Sequence, residues 1–351
     1  MIQLRLETRK LLEEIERCIV PEVEEQYMSQ CDDFVHGKFS GDIFKAKRMK
    51  LPTIQYDYQK LNINDALLDY ETMLALEMQS VLRALENDKI LSVRTNYGTG
   101  IMSSLFDAEI FTMPRELNTL PTTRPLGSDE KMIALLDKGV PDLMGGFGRR
   151  VFEMGEYYKE VFAMYPKIQQ YVSVYHPDTQ GPLDVLELLW GSDIFCNFYD
   201  EPELVHDLLG LVSETYIQFM EKWYQLYPQT KDWTNHWAGL VHKGKLVIRN
   251  DSAMNLSPQM YEEFVKPYDA KLLKHFGGGI IHFCGRGDHY IETMSDIDDL
   301  FGINMSQPHL NDMETIYKNT VDKGLFICGF NAEWAQKDVG RVGAFNHKLS
   351  V

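Results

Sequence analysis

Cysteine is scarce in this chain of 351 residues: Cys18, Cys31, Cys196, Cys284 and Cys328 are odd in number and far apart. That pattern argues against a disulfide framework and fits the reduced thiols of a cytoplasmic protein. Positive charge is also short. Against 52 Asp+Glu stand 35 Lys+Arg, a net charge of −17, so the chain has no basic footprint for nucleic acid or for an anionic membrane surface. Long apolar runs are missing: nothing approaches the ~18–20 residues of a membrane span, and the opening MIQLRLETRKLLEEIER is charged throughout, unlike a signal peptide. No GxGxxG or GxxxxGK[ST] loop follows any expected strand, which leaves a nicotinamide or nucleoside triphosphate site without support. What is present is ordinary: 44% hydrophobic and 25% charged residues, enough for one large domain with a sizeable core.

Residues 1–88 read as a helical extension. Leu4, Leu11, Leu12 and Ile15 make one stripe, Pro21 opens a second helix, and a third spans Asn64 to Leu85. From Ile90 the pattern changes. Short β-branched runs are expected at Ile90–Arg94, Gln170–Tyr175, His236–Val241, Leu246–Arg249, Gly279–Phe283, Gly302–Met305, Gly324–Cys328 and Ala344–Leu349. Helices alternate with them, at Met132–Glu160 (broken at Pro141), Glu203–Gln225, Pro258–His275, Tyr290–Asp298 and Met313–Val321. Ser257 as N-cap, Pro258 at N1 and Gly277–Gly279 as the stop bracket one of these helices. Eight strands alternating with helices predict an α/β fold, a (β/α)8 barrel over residues 89–351 with the N-terminal helices packed on it.

In such a barrel the residues at the carboxyl ends of the strands face one mouth. In chain order these are Arg94, Asn96 and Tyr97; Tyr175, His176 and Asp178; Arg249, Asn250 and Asp251; His282 and Cys284; Gln307 and His309; and Cys328. The most informative stretch is GGGIIHFCGRGD. Strand alternation puts His282 and Cys284 on one face and Phe283 on the other, so an imidazole and a thiol lie side by side as soft metal ligands. Each residue also has a plainer reading: Cys284 as a small buried hydrophobe, Arg94 as an ion-pair partner, Asp251 as a turn cap.

From about Ile90 onward the chain resembles the uroporphyrinogen decarboxylase family, which includes methylcobamide:coenzyme M methyltransferases and corrinoid-associated relatives. The elements that carry the resemblance are VRTNYGTGIMSSLFDAEI, GPLDVLELLWGSDIFCNFYDEPELVHDLL, DSAMNLSPQMYEEFVKPY, and HFCG where the family has HxCG. It implies a (β/α)8 barrel with the site at its carboxyl face. The decarboxylases carry an RQAGRY-type segment whose arginines hold the substrate's acid side chains; here VRTNYGTG offers Arg94 alone, which disfavours an authentic uroporphyrinogen substrate. The methyltransferase branch binds zinc through the His and Cys of HxC and a later Cys. His282 and Cys284 match the first two, and Cys328 is the only cysteine after them, with His309 or Asp251 as further candidates.

The resemblance therefore implies a corrinoid-linked methyltransferase of one-carbon metabolism, moving a methyl group between a methylated cobamide protein and a small acceptor. In that reading His282, Cys284 and Cys328 hold zinc, the corrinoid is carried by a partner protein, and Arg94, Asn96, Tyr97, Asp178, Gln307 and His309 bind substrate. The alternatives are a decarboxylase of a carboxylated tetrapyrrole or small acid, with Asp251 or His176 managing protons, and a barrel that binds a corrinoid or porphyrin without turning it over. The N-terminal helices are expected to pack on the barrel, or to form a homodimer or corrinoid-protein docking surface.

Overall fold

The computed structural model describes residues 2–237, 239–341 and 343–351. Eight short parallel strands build the wall: β1 Ile43–Phe44, β2 Ser92–Val93, β3 Ser173–Val174, β4 Leu246–Arg249, β5 Gly279–Phe283, β6 Leu300–Met305, β7 Phe326–Ile327 and β8 Leu349–Ser350. Six of them form one sheet in the order β1–β8–β7–β6–β5–β4, and β2 pairs with β3. Side chains and loops complete the wall between the two groups. The Val247 amide donates to His176 Nε2 at 3.1 Å, and the Gly181 amide donates to the Arg249 carbonyl at 2.7 Å. The architecture is a (β/α)8-type barrel with helices outside.

Three expectations about the strands are corrected. The run expected at Ala344–Leu349 turns through Ala344, Asn346 and His347 at positive φ, so the strand is only Leu349–Ser350. Segment 1–88 is not helix alone, because Ile43–Phe44 pairs in parallel with Leu349–Ser350 and supplies β1. Its helices, Leu6–Cys18 and Tyr70–Glu86 among them, bury Leu11, Leu12, Ile15, Met73 and Met78 in the same core as the barrel's outer helices. The run expected as a strand at His236–Val241 instead straddles a turn. Trp237 has φ +48°, and Trp233–His236 folds back antiparallel on Leu240–Lys243.

This hairpin fills the barrel's lumen. Alternation along β4 and β5 sends Ile248 and Ile281 out to the helices and Val247 and Ile280 inward. The inward residues meet Trp233, Leu240 and Val241 of the hairpin, together with Phe44, Ile90, Phe326 and Cys328. Burying each large apolar side chain here contributes roughly 1.5–3 kcal/mol.

The helix signals act where they were read. Ser257 Oγ accepts from the Met260 amide at 3.2 Å, and Gly277 ends the segment at φ +78°. Between them the expected single helix is two, Pro258–Phe264 and Lys266–Phe276, because Pro267 has no amide hydrogen to give the preceding turn. No helix among the described residues is long and apolar enough to cross a membrane.

Candidate active site: an Asp–His–Cys triad at the carboxyl ends of the strands

His282 near the end of β5 and Cys284 just beyond it point to one side, and Asp251, two residues past β4, joins them from the neighbouring strand. One ligand atom from each lies within 4.8 Å of the others. Cys284 Sγ is 3.4 Å from His282 Nε2, and Asp251 Oδ1 is 3.5 Å from the same nitrogen. The loop is locked because the Cys284 amide donates to Asp251 Oδ1 at 2.8 Å. Gly285 then leaves at φ +74°, a conformation that glycine adopts without the Cβ penalty other residues carry.

The imidazole's tautomer follows from its neighbour on β6. Asn304 sits in register with His282 and donates through Nδ2 to the Cys328 carbonyl at 2.6 Å. Its Oδ1 is thereby turned to His282 Nδ1, 2.5 Å away, so Nδ1 carries the hydrogen and the Nε2 lone pair faces Cys284 and Asp251. Burial lowers the His282 pKa and keeps the ring neutral. This is how a metal-binding histidine is oriented from behind. Burial pushes the Cys284 thiol up, and Ser306 Oγ lies 3.4 Å from its sulfur.

Cys328 does not join the triad. Its side chain is 0% exposed among Val247, Ile280 and Phe326, and burial pushes its pKa to about 12. The residue after β7 points into the lumen's apolar layer, so its contribution is the carbonyl that orients Asn304. Asp251 stands where a third sulfur was expected.

Asp251 is itself held by its surroundings. Asp184, in the first turn of the helix Pro182–Trp190, accepts the amides of Asp251 at 2.8 Å and Ser252 at 2.9 Å. Burial, aided by the charge of Asp251, pushes the Asp184 pKa up to about 7. Gly181, just before that helix, has no room for a side chain: a Cβ there would lie 2.3 Å from Asn250 Oδ1.

The other expected site residues are placed differently. Arg94, Asp178 and Arg249 form a buried ion cluster, with Asp178 3.0 Å from each guanidinium. Burial alone would raise Asp178; Arg249 and Arg94 outweigh it and hold the carboxylate below its ordinary range. Asn96 donates to buried Glu77 at 2.9 Å, and Tyr97 is buried against Phe147. His176 has both ring nitrogens engaged, Nδ1 with the Pro177 carbonyl at 2.7 Å and Nε2 with the Val247 amide. Burial, with Arg249 nearby, lowers it to about 3. Gln307 accepts the Gly285 amide at 2.6 Å and shapes the loop after Cys284, whereas His309 is exposed on the turn Pro308–Leu310.

Beside the triad opens a cavity of about 580 Å³, lined by Trp237, Leu240, His282, Asn304, Ser306 and Phe330 among others. Trp237 comes from the tip of the lumen hairpin; its ring stands 5.3 Å from His282 and 4.6 Å from the Arg249 guanidinium. Asn304, Asp184 and Trp237 were not singled out from the sequence. Asn304 did leave a signal there, as a polar side chain inside the apolar run Gly302–Met305.

The strand ends of this barrel converge on nitrogen, sulfur and oxygen donors that could hold a metal ion. Residues 181–329, the stretch that holds Asp251, His282 and Cys284, match the family model described as Uroporphyrinogen decarboxylase (URO-D). A solved structure, a methyltransferase from Methanosarcina mazei, superposes with a TM-score of 0.57 at 17% identity, covering 93% of this chain and 82% of that one; the likeness is one of fold. No curated protein matches the chain.

Proposed function

We propose that this protein is a corrinoid-linked methyltransferase that moves a methyl group between a methylated cobamide protein and a small thiol acceptor. The observation that carries the reading is the Asp251–His282–Cys284 triad, with His282 presented by Asn304 as a neutral ligand. Three donors of these types, joined to the cavity through His282, fit a catalytic zinc site, in which a fourth position is left for substrate. When bound, zinc would supply the Lewis acidity that keeps an acceptor thiol ionised at neutral pH. The residues themselves do the positioning: Asn304 fixes the ring, the Cys284 amide fixes Asp251, and Trp237, Leu240 and Phe330 give the cavity apolar walls. The corrinoid enters as a substrate carried by its own protein, and half-exposed Met254, which lies against Gly285, offers it an apolar contact. In the transfer the sulfur's electron pair forms the new S–CH3 bond, and cobalt keeps the pair of the broken Co–C bond.

The decarboxylase reading ranks second because its residues are otherwise occupied: Arg94 is paired with Asp178, and His176 has no free nitrogen. The test is a metal analysis together with a spectral assay of methylcobalamin and small thiols. Bound zinc and demethylation are expected in the wild type, with both lost in Cys284→Ala while the fold persists. A wild type that neither carries nor takes up zinc ends the reading.

A further inference from the structure

We propose that Asp184 is a positioning residue for the metal ligand Asp251, an inference that rests on the reading of the triad as a zinc site. Asp251 opens a short 3-10 turn, Asp251–Asn255, whose N-cap residue Asn250 makes no capping hydrogen bond. The side chain of Asn250 is turned away, donating to Asp269 at 2.5 Å. The first two amides of the turn would therefore be orphans. Asp184 takes both, Oδ2 from Asp251 and Oδ1 from Ser252. One turn further along the same helix, Glu187 accepts the hydroxyl of Ser252. Asp184 is itself 4% exposed, so its position is set by packing and not by solvent.

The consequence is geometric. His282 lies in β5 and Cys284 directly follows its end, so two residues of nearly continuous extended chain keep them on one face. Asp251 reaches them from a different strand through an irregular turn; the Cys284 amide holds its carboxylate from one side, and its backbone depends on whatever holds that turn. The two bonds from Asp184 do this. Removing them frees the turn without deleting any ligand, and outer partners of ligands commonly cost 10–100-fold in metal affinity when removed.

The experiment measures zinc affinity by competition with a chromophoric chelator, and the visible spectrum of the cobalt(II)-substituted protein, in wild type, Asp184→Ala and Asp184→Asn. Asp184→Ala should bind zinc roughly 10–100-fold more weakly and show an altered cobalt spectrum, while circular dichroism of the metal-free protein stays that of the wild type. Asp184→Asn keeps one acceptor oxygen and should fall between the two; it carries the test alone if the alanine variant does not fold. Wild-type affinity with an unchanged cobalt spectrum in the variants overturns the role of Asp184. Weakened affinity with an unchanged spectrum overturns it as well, since it shows that the ligand geometry did not depend on this residue. A wild type that binds neither metal overturns the reading of the triad instead.

Discussion

Asn304 controls His282 through one hydrogen bond, and Cys328 acts through its carbonyl instead of its thiol; both statements can be tested by single substitutions. Asn304→Leu leaves the buried Nδ1–H of His282 without an acceptor, which costs about 1–3 kcal/mol of stability and, under the proposed zinc reading, should weaken zinc binding roughly 10–100-fold. Thermal unfolding and chelator competition read the two effects separately, and unchanged zinc affinity would show that Asn304 does not orient the ligand. Under the proposed zinc reading, Cys328→Ala should keep whatever zinc the wild type binds, because the thiol lies in an apolar layer away from the triad. Loss of metal in that variant, measured by elemental analysis, would restore Cys328 as a ligand.

The element that most distinguishes this barrel is the lumen hairpin. Its base anchors through Trp233, which is buried among the inward-facing residues of the strands and donates from Nε1 to Asp32 Oδ1 at 2.9 Å. Its tip delivers Trp237 to the cavity. Trp233→Ala opens a cavity in that layer and should cost about 3–5 kcal/mol, read as a lowered urea midpoint. A shift under about 1 kcal/mol would mean that the hairpin does not fill the lumen. The ion cluster that ties β2, β3 and β4 together is equally exposed to test. Asp178→Ala leaves two buried guanidiniums without their shared carboxylate, a loss of about 3–5 kcal/mol.

At the scale of the whole molecule, two sets of buried groups oppose each other in their response to acid. Burial lowers His176 to about 3 and His242 to about 4, and carries His236 well below its usual value. These rings stay neutral when folded but take up protons when unfolded, so their contribution is full above about pH 6.5 and is lost as pH falls toward 3. Burial raises Asp184 to about 7 and Asp269 to about 8. Those carboxyls hold protons in the folded state that the unfolded chain has released, so their contribution falls as pH rises from about 4 toward 8. Between about pH 4.5 and 6.5 the two slopes oppose each other, but three imidazoles face two carboxyls, so stability should still rise with pH in the lower part of that window, by up to about 1.4 kcal/mol per pH unit. Asp269→Asn removes one of the opposing protons, since the amide still accepts from Asn250 but does not titrate. Stability of that variant should fall toward acid by about 1.4 kcal/mol per pH unit relative to the wild type. Urea unfolding at several pH values decides it: parallel profiles would mean that Asp269 is ionised when folded.

Local order is what the sequence by itself determined. The alternation of β5 put His282 and Cys284 on one face, Ser257 and Gly277 bounded a helical segment, and the succession of strands and helices announced a barrel, because each of these depends on a few neighbouring residues and a fixed period. Pairing between distant segments follows from no such period. The strand at Ile43–Phe44 is two residues long and becomes a strand only by docking on Leu349–Ser350. The run at His236–Val241 has strand composition, yet it bends at Trp237 to fill a lumen that exists only once the wall has closed. Asp251 and Asn304 entered the site the same way, each from a strand flanking β5 and in a register that no local pattern records. Two donors were legible because two residues of one extended run hold them; the choice of Asp251 over Cys328 and His309 as the third, and the group that orients the histidine, were decided only when three strands came together.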